Sequence, residues 1–253
     1  MGKIISFSNQ KGGVGKTTSA VNIAASLGIL GYKVLLVDLD PQGNATSGVG
    51  ISKRNLITSI NDVLVGKATA KEAVVETAYE NLSIIPAHIS LAGAEYNLYQ
   101  GNGAERVMKN ALDAIKDNYD YIIIDCPPSL SMLTVNAMVA SDGVIIPMQC
   151  EFYALEGLSQ LTVTINRIKA NFNPNLNITG ILITMYNSRL LLSLQVMNEL
   201  KKHYSDKLFS NQISRGVKVS EAPGFGMPVY YHDKRCKGAQ EYLNIARQLA
   251  ARI

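Results

Sequence analysis

The chain has 253 residues, of which 47% are hydrophobic and 17% are charged. This length is enough for one large core, and its apolar runs fall well short of the roughly 18 residues that span a membrane. The net charge of +4 permits an anionic partner without requiring one. The first residues lead into a glycine-rich stretch rather than an apolar leader, so we expect a cytoplasmic protein.

Short runs rich in Ile, Val and Leu alternate with segments of helical periodicity. The predicted strands are residues 4–8, 34–38, 82–86, 121–125, 144–147 and 178–184. The predicted helices are residues 17–30, 57–65, 104–116, 155–171, 191–203 and 239–252, and the rest of 43–80 is predicted to be loop with short helices. This alternation predicts a single α/β domain over residues 1–253, with one doubly wound, mostly parallel sheet and helices on both faces.

A glycine-rich segment between the first predicted strand and the first predicted helix carries the strongest functional signal. It reads Lys11, Gly12, Gly13, Val14, Gly15, Lys16, Thr17 and Thr18. Glycines let successive backbone N–H groups face phosphate oxygens, and a helix N-terminus adds partial positive charge. Lys16 is spaced to reach the β- and γ-phosphates, and the Thr17 hydroxyl to hold Mg²⁺. The segment therefore predicts a P-loop that binds ATP with Mg²⁺.

This segment departs from the usual pattern GxxxxGK[ST]. Gln10 stands where the pattern has glycine, and a second lysine, Lys11, follows it. That lysine has no role within an ordinary P-loop. The alternative interpretation is a solvated surface lysine.

Two carboxylates follow predicted strands, at the edge of the sheet where ligands of such folds bind. Asp40 comes after the second strand, in a segment that continues to Gln42 and Asn44. It could orient the attacking water or hold Mg²⁺ through water, and the alternative is an Asp-Pro turn that only closes the strand. Asp125 ends an apolar strand, the Walker B arrangement with a carboxylate near the metal.

These motifs together resemble the deviant Walker A ATPases, a group that includes ParA, Soj, MinD and the nitrogenase iron protein. The similarity is greatest to chromosomal ParA and Soj, and it continues through VDLDPQGNATSG, QCEFYALEGLSQL, LITMYNSR and SEAPGFGMPV. The resemblance implies a weakly active ATPase of chromosome or plasmid partition. ATP would join two subunits in a sandwich dimer that binds double-stranded DNA without sequence preference. A ParB-type protein would stimulate hydrolysis and release this nucleoid-associated dimer from DNA.

The resemblance also assigns roles within the nucleotide site. Lys11 would reach the partner subunit's phosphates, Gly12 would leave room for the two subunits to approach, and Asp40 would be needed for hydrolysis. The implied catalytic residues are Lys11, Lys16 and Asp40, and the implied Mg²⁺ ligands are Thr17, Asp40 and Asp125.

The resemblance further implies Asn187, Ser214 and Gly216 as nucleotide-binding residues, of which Ser214 and Gly216 stand where the family contacts the adenine. Where the family usually reads I-P-R-N-V-R, this chain has Ser214 in place of the proline and Gly216 in place of the asparagine. We therefore expect these two residues to contact the base through backbone groups.

For DNA, the resemblance points to Arg189 and Lys218. Affinity for the phosphate backbone comes from cations gathered on one face. The further candidates are Arg215, Lys201, Lys202, Lys234, Arg235 and Lys237. The alternative is a set of scattered, solvated charges. The three leucines at 190–192, where relatives are usually more polar, either cover a partner surface or pack in the core.

Two members of the group define alternative functions. A MinD-like membrane-cycling ATPase would need a basic amphipathic extension, and the sequence stops at Ile253, directly after a predicted helix of the fold. A redox ATPase like the nitrogenase iron protein would need two cysteines per subunit at a shared cluster. Cys126 has no second cysteine in a comparable loop, and all three cysteines are predicted to be reduced thiols.

Overall fold

The computed structural model describes residues 2–100 and 103–253. Within these residues the strands are β1 (Lys3–Phe7), β2 (Val34–Asp38), β3 (Val75–Glu76), β4 (Leu82–Ile85), β5 (Tyr121–Asp125), β6 (Gly143–Met148) and β7 (Asn177–Ile183). They form one sheet in the order β3-β4-β2-β5-β1-β6-β7, parallel throughout except for the antiparallel pair β3–β4. The predicted doubly wound, mostly parallel sheet is confirmed.

Helices cover the sheet on both faces. They are α1 (Lys16–Ile29), α2 (Asn44–Gly48), α3 (Ile60–Leu64), α4 (Leu91–Gln100), α5 (Val107–Asp113), α6 (Met132–Ala140), α7 (Ala154–Asn171), α8 (Leu191–Tyr204), α9 (Val217–Glu221), α10 (Val229–His232) and α11 (Lys237–Arg252). In the described part of the chain no helix has the length and apolar character to cross a membrane.

The pleat of the central strands sends neighbouring side chains into different cores. Ile5 packs with α1 and α11 on one face, whereas Ile4 packs with α3 to α6 on the other. A third core joins β6 and β7 to α7 and α8. Because both faces are covered, the strands read as continuous apolar runs rather than as alternating ones.

All six predicted strands lie within one residue of the observed ones, but some elements differ from the prediction. β3 was missed because two residues carry no pattern, and it exists through pairing of Val75 with Ile84. The predicted helix 57–65 begins only at Ile60, since Ser59 and Asp62 form a capping box there. α4 and α6 were also missed. α6 is buried on nearly all sides and has no polar face to reveal its period.

The predicted helix over 104–116 is wrong in its extent, because a side chain from α6 interrupts it. Residues Ala104–Arg106 form a 3₁₀ turn, and α5 then ends at Asp113. Asn136 accepts a hydrogen bond from the Met108 N–H at 3.1 Å and donates one to the Ala104 carbonyl at 2.7 Å. These bonds replace helical ones, so a regular α-helix cannot run through this point.

Candidate functional site

The P-loop, residues 8–15, connects β1 to α1 at the carboxyl edge of the sheet. Gly13 and Gly15 have φ values of 74° and 82°, in the left-handed region where a side chain would be strained. Gly15 is also the N-cap of α1 and has no side chain to occupy the first N–H groups of the helix. Those groups are available to an anion.

Three side-chain hydrogen bonds connect the P-loop to the neighbouring strands β6 and β7 at their carboxyl ends. The Thr184 hydroxyl donates to the Val14 carbonyl at 2.7 Å, and the Gln149 amide donates to the Gly13 carbonyl at 2.8 Å. Asn9 donates to the Pro147 carbonyl at 2.7 Å. The loop is therefore held in shape by contacts to residues that follow β6 and β7.

The two lysines of the loop have different surroundings. Lys16 is buried, and its ammonium donates to the Lys11 carbonyl at 3.0 Å. Burial lowers the pKa of Lys16, and the nearby Asp125, Cys126 and Asp40 oppose that shift. The Lys11 side chain is about half exposed and forms an ion pair with Glu151. Lys11 thus has a charged partner within its own subunit.

Three aspartates lie behind the P-loop. Asp38 and Asp125 are register neighbours at the ends of β2 and β5, and both are fully buried. Asp38 accepts hydrogen bonds from the N–H and the hydroxyl of Thr46, each at 2.7 Å. Burial raises the pKa of Asp38 to about 6, although the bonds from Thr46 oppose the rise. Asp40 is also buried, and its carboxylate accepts from the Gln42 N–H at 2.9 Å.

Asp125 is a buried carboxylate whose surroundings would suit a bound cation. Neither of its oxygens has a hydrogen-bond partner among the described residues. Burial and the adjacent Asp38 raise the pKa of Asp125 well above its usual range, and the nearby Thr17 hydroxyl opposes this by less. The described part of the chain contains no cluster of three or more His, Cys, Asp or Glu side chains that could hold a metal ion without other ligands. The site fits Mg²⁺, which keeps few protein ligands and takes the remainder from phosphates and water.

We expect Asp125→Asn to stabilise the nucleotide-free protein while it removes ATPase activity. A buried charge without partners is costly, so the amide should raise the free energy of unfolding by about 1–2 kcal/mol at pH 8. The folded-state pKa of Asp125 is raised, so its cost grows as the pH rises from near 4 through that pKa. The gain should therefore shrink towards pH 5. Urea denaturation across this pH range measures it.

Asp113→Asn is the matched control. Partial burial raises the pKa of Asp113, but hydrogen bonds from Lys109 and Lys116 outweigh it and the pKa is lowered. This carboxylate stabilises the folded state at neutral pH, and the contribution is lost as the pH falls through its folded pKa. Its variant should be destabilised at pH 8. An Asp125→Asn variant that is no more stable at pH 8 than the wild type would contradict the account.

A cavity of about 240 Å³ lies beside the P-loop. Gly15 and Thr18 line it from the P-loop side, and Ser214 and Gly216 line it from the segment before α9. Asn187 is exposed in the turn after β7 and is not among the described residues that line the cavity. Its carboxamide oxygen instead accepts from the Arg189 N–H at 3.0 Å.

The Ser214 N–H, which was expected to contact the base, already has a partner within the protein. The Ser214 N–H donates to Glu241 at 2.9 Å, and the Ser214 hydroxyl donates to the same carboxylate at 2.9 Å. Its N–H is therefore committed to the protein and does not face the cavity as a free donor.

The candidate DNA-binding residues fall into separate groups, and all eight are exposed. Arg215, Lys218, Lys234, Arg235 and Lys237 flank the starts of α9 and α11. Arg189 precedes α8, whereas Lys201 and Lys202 lie in its last turn. The helix has 14 residues, so its two ends lie about 20 Å apart. The structure therefore does not place Lys201 and Lys202 beside Arg189.

Several of these cations are paired within the subunit. Lys202 contacts Glu199 at 2.6 Å, Lys218 contacts Glu221 at 3.0 Å and Lys237 contacts Glu241 at 3.5 Å. The leucines at 190–192 do not belong to the core. Leu190 is 54% and Leu191 is 71% exposed, so the core alternative for this segment is wrong.

Four residues that organise the site were not predicted from the sequence. Gln149, Glu151 and Thr184 follow β6 and β7 at the same edge as the P-loop, so the rule that ligands bind at strand ends could have indicated them. Glu241 lies inside α11, where its sequence context resembles any exposed helix position.

The fold and the P-loop define a nucleotide-binding protein of the P-loop class. The family described as AAA domain matches residues 2–178. The sporulation initiation inhibitor protein Soj of Bacillus subtilis is 52% identical over 251 residues, which is 99% of each chain. The chromosome-partitioning ATPase Soj of Treponema pallidum is 46% identical, and the match covers 100% of this chain and 98% of that protein.

Among solved structures, cobyrinic acid a,c-diamide synthase of Mycobacterium smegmatis with bound ATP analogue and magnesium superimposes with a TM-score of 0.86. It is 37% identical, over 99% of this chain and 95% of that one. The chain belongs to the Soj/ParA family of chromosome-partitioning ATPases, within the ParA/MinD group. The sequence-based identification of this family is confirmed.

Proposed function

We propose that this ATPase is a partitioning switch controlled by ATP and Mg²⁺. ATP joins two copies of the chain, the dimer binds double-stranded DNA of the nucleoid without sequence preference, and a ParB-type protein stimulates hydrolysis and release. The observation that carries the proposal is the 213–218 segment. It lines the cavity beside the P-loop and also bears the exposed cations Arg215 and Lys218. Nucleotide in that cavity therefore contacts the segment that faces DNA.

Within one subunit the residues have distinct tasks. The P-loop N–H groups and Lys16 bind the phosphates, and the cavity receives the base. Thr17 and Asp125 would hold Mg²⁺, which would neutralise charge on the nucleotide phosphates. Asp40 lies next to them and orients the attacking water. We propose Lys11, Lys16 and Asp40 as the catalytic residues.

The dimer is supported by two adjacent P-loop positions, Gly12 and Lys11, that are open on the side away from the subunit's own core. A Cβ atom at Gly12 would meet no atom of the described residues within 4 Å. Gly12 is not among the glycines with positive φ, so its backbone does not require glycine either. The neighbouring Lys11 side chain is about half exposed. We propose that Gly12 and Lys11 face the second subunit.

The MinD-like alternative receives no support from the last helix. The apolar side of α11, including Tyr242, Ile245 and Leu249, is buried in the core with α1. That side is not free to enter a lipid interface.

Arg189→Ala tests the DNA contact. Because the residue is proposed to contact phosphates, the variant should bind unrelated DNAs equally weakly and should bind ATP normally. Each lost phosphate contact flattens the log–log salt dependence by about 0.9, so a dimer should lose roughly twice that. The measurement is a salt series with two DNAs of different composition at saturating ATP.

Lys71→Ala is the control for this experiment. Lys71 is exposed and precedes the edge strand β3, at the opposite edge of the sheet from β7 and Arg189. The Lys71→Ala variant should show the same slope of log DNA affinity against log salt concentration as the wild type. An unchanged slope for Arg189→Ala, or a loss confined to one DNA, would place the DNA contact elsewhere.

A further inference from the structure

We propose that Glu241 is a positioning residue for nucleotide recognition, because it holds Ser214 and so fixes the wall of the cavity that receives the base. The inference rests on the proposed function, since it takes this cavity as the base site. It assigns a role to a residue of α11 that lies outside all the sequence motifs.

The contact between Glu241 and Ser214 is close and uses both donors of the serine. The Ser214 N–H reaches one carboxylate oxygen at 2.9 Å, and its hydroxyl reaches the two oxygens at 2.9 and 3.0 Å. Hydrogen bonds to a carboxylate are shorter and about twice as strong as neutral ones. The Glu241 side chain is only 12% exposed, so a loss of these bonds would leave a largely buried charge with less compensation.

The 213–218 segment has few other supports at this point. Ile213 is joined to the end of β7, since its N–H donates to the Ile183 carbonyl at 2.9 Å and its carbonyl accepts from the Tyr186 N–H at 2.9 Å. Gly216 is then the N-cap of the five-residue helix α9. Ser214 itself forms an isolated backbone bridge with Tyr186, and Glu241 is the side-chain partner that ties Ser214 to α11. A proline in place of Ser214 would restrict the backbone by itself but would lack the N–H.

The same carboxylate also faces the proposed DNA surface. Lys237, one turn earlier on α11, lies 3.5 Å from Glu241. Arg215 and Lys218 belong to the segment that Ser214 anchors. Glu241 therefore contacts both a residue that lines the base cavity, Ser214, and a cation of the proposed DNA surface, Lys237. Because its contact is with the cavity wall, its loss should affect binding of the base more than binding of the nucleotide phosphates.

The experiment compares binding of ATP with binding of inorganic triphosphate, both with Mg²⁺, by calorimetry on the full chain. Triphosphate uses the P-loop alone, whereas ATP also uses the cavity. Glu241→Ala should weaken ATP about tenfold, the size expected when a charge-assisted contact is lost, and should leave triphosphate within about twofold. Glu241→Gln keeps one oxygen acceptor and the same shape, so its loss should be smaller, about threefold.

Gln248→Ala is the matched control, because Gln248 makes the same kind of contact on the same helix. Its carboxamide oxygen accepts from the N–H and the hydroxyl of Ser210, each at 2.9 Å. Neither Gln248 nor Ser210 is among the described residues that line the cavity. Gln248→Ala should lose thermal stability, as Glu241→Ala does, but should bind ATP as the wild type does.

Three results would overturn the inference. They are wild-type ATP affinity in both Glu241 variants, an equal loss of ATP and triphosphate, and the same ATP loss in Gln248→Ala. A failure of the proposed base site is distinguishable from these. In that case the wild type itself would bind ATP no better than triphosphate, and the inference would fall with it.

Discussion

Asp40→Ala is expected to bind ATP and remain on DNA while it hydrolyses ATP about a hundredfold more slowly than the wild type, as for loss of a water-positioning or general-base group. Asp40 is buried behind the P-loop, and its carboxylate is oriented by the Gln42 N–H. Its backbone is fixed as well, because the Asp40 N–H donates to Asp38 at 3.2 Å. The phosphate cradle does not include it. Its loss should therefore affect the transition state more than the binding of ATP.

The measurement is single-turnover hydrolysis together with DNA retention after a chase without ATP. Asp120→Ala is a suitable control, since Asp120 is an exposed carboxylate before the amino end of β5 that accepts a hydrogen bond from the Lys33 N–H at 2.8 Å. That variant should hydrolyse ATP and leave DNA as the wild type does. Wild-type turnover in Asp40→Ala would mean that Asp40 has only a structural role in the turn after β2.

Lys16→Ala should abolish nucleotide binding, with a loss of at least about a hundredfold, because the removed ammonium is the principal cation that faces the phosphates. Lys16 is buried with its ammonium against the P-loop backbone, 3.0 Å from the Lys11 carbonyl. Without the lysine the nearby carboxylates Asp125 and Asp40 would repel the phosphates. Titration with a fluorescent ATP analogue measures the change.

Lys33→Ala is the control for charge alone. Lys33 is exposed at the amino edge of the sheet, directly before β2, and its loss should not change nucleotide affinity. A Lys16→Ala variant with affinity within a few-fold of the wild type would mean that the phosphates bind elsewhere.

The sheet and the P-loop were predictable because their signals are local. Buried parallel strands are continuous apolar runs, and the P-loop needs glycine at positions such as Gly13 and Gly15, where φ is positive. Asp125 was predictable because it ends one of these runs. The missed parts depend on contacts between distant segments, such as the bonds of Asn136 that interrupt the helix at 104–116.

The surroundings of the cavity beside the P-loop were unpredictable for the same reason. Ser214 and Glu241 are 27 residues apart, and only the packing of α11 beside the 213–218 segment brings them into contact. The separation of Lys201 and Lys202 from Arg189 was also not predictable from the sequence. In the sequence they are two more cations near Arg189, but the length of α8 carries them to the other end of the helix.

The central claim is that nucleotide controls DNA binding, and the most direct measurement is the DNA affinity of the wild type with ATP, with ADP and without nucleotide at one fixed salt concentration. A switch requires a difference in affinity between the states. We expect DNA binding at least about tenfold tighter with ATP than in the other two conditions, which corresponds to about 1.4 kcal/mol of coupling. Equal affinity in all three conditions would contradict it.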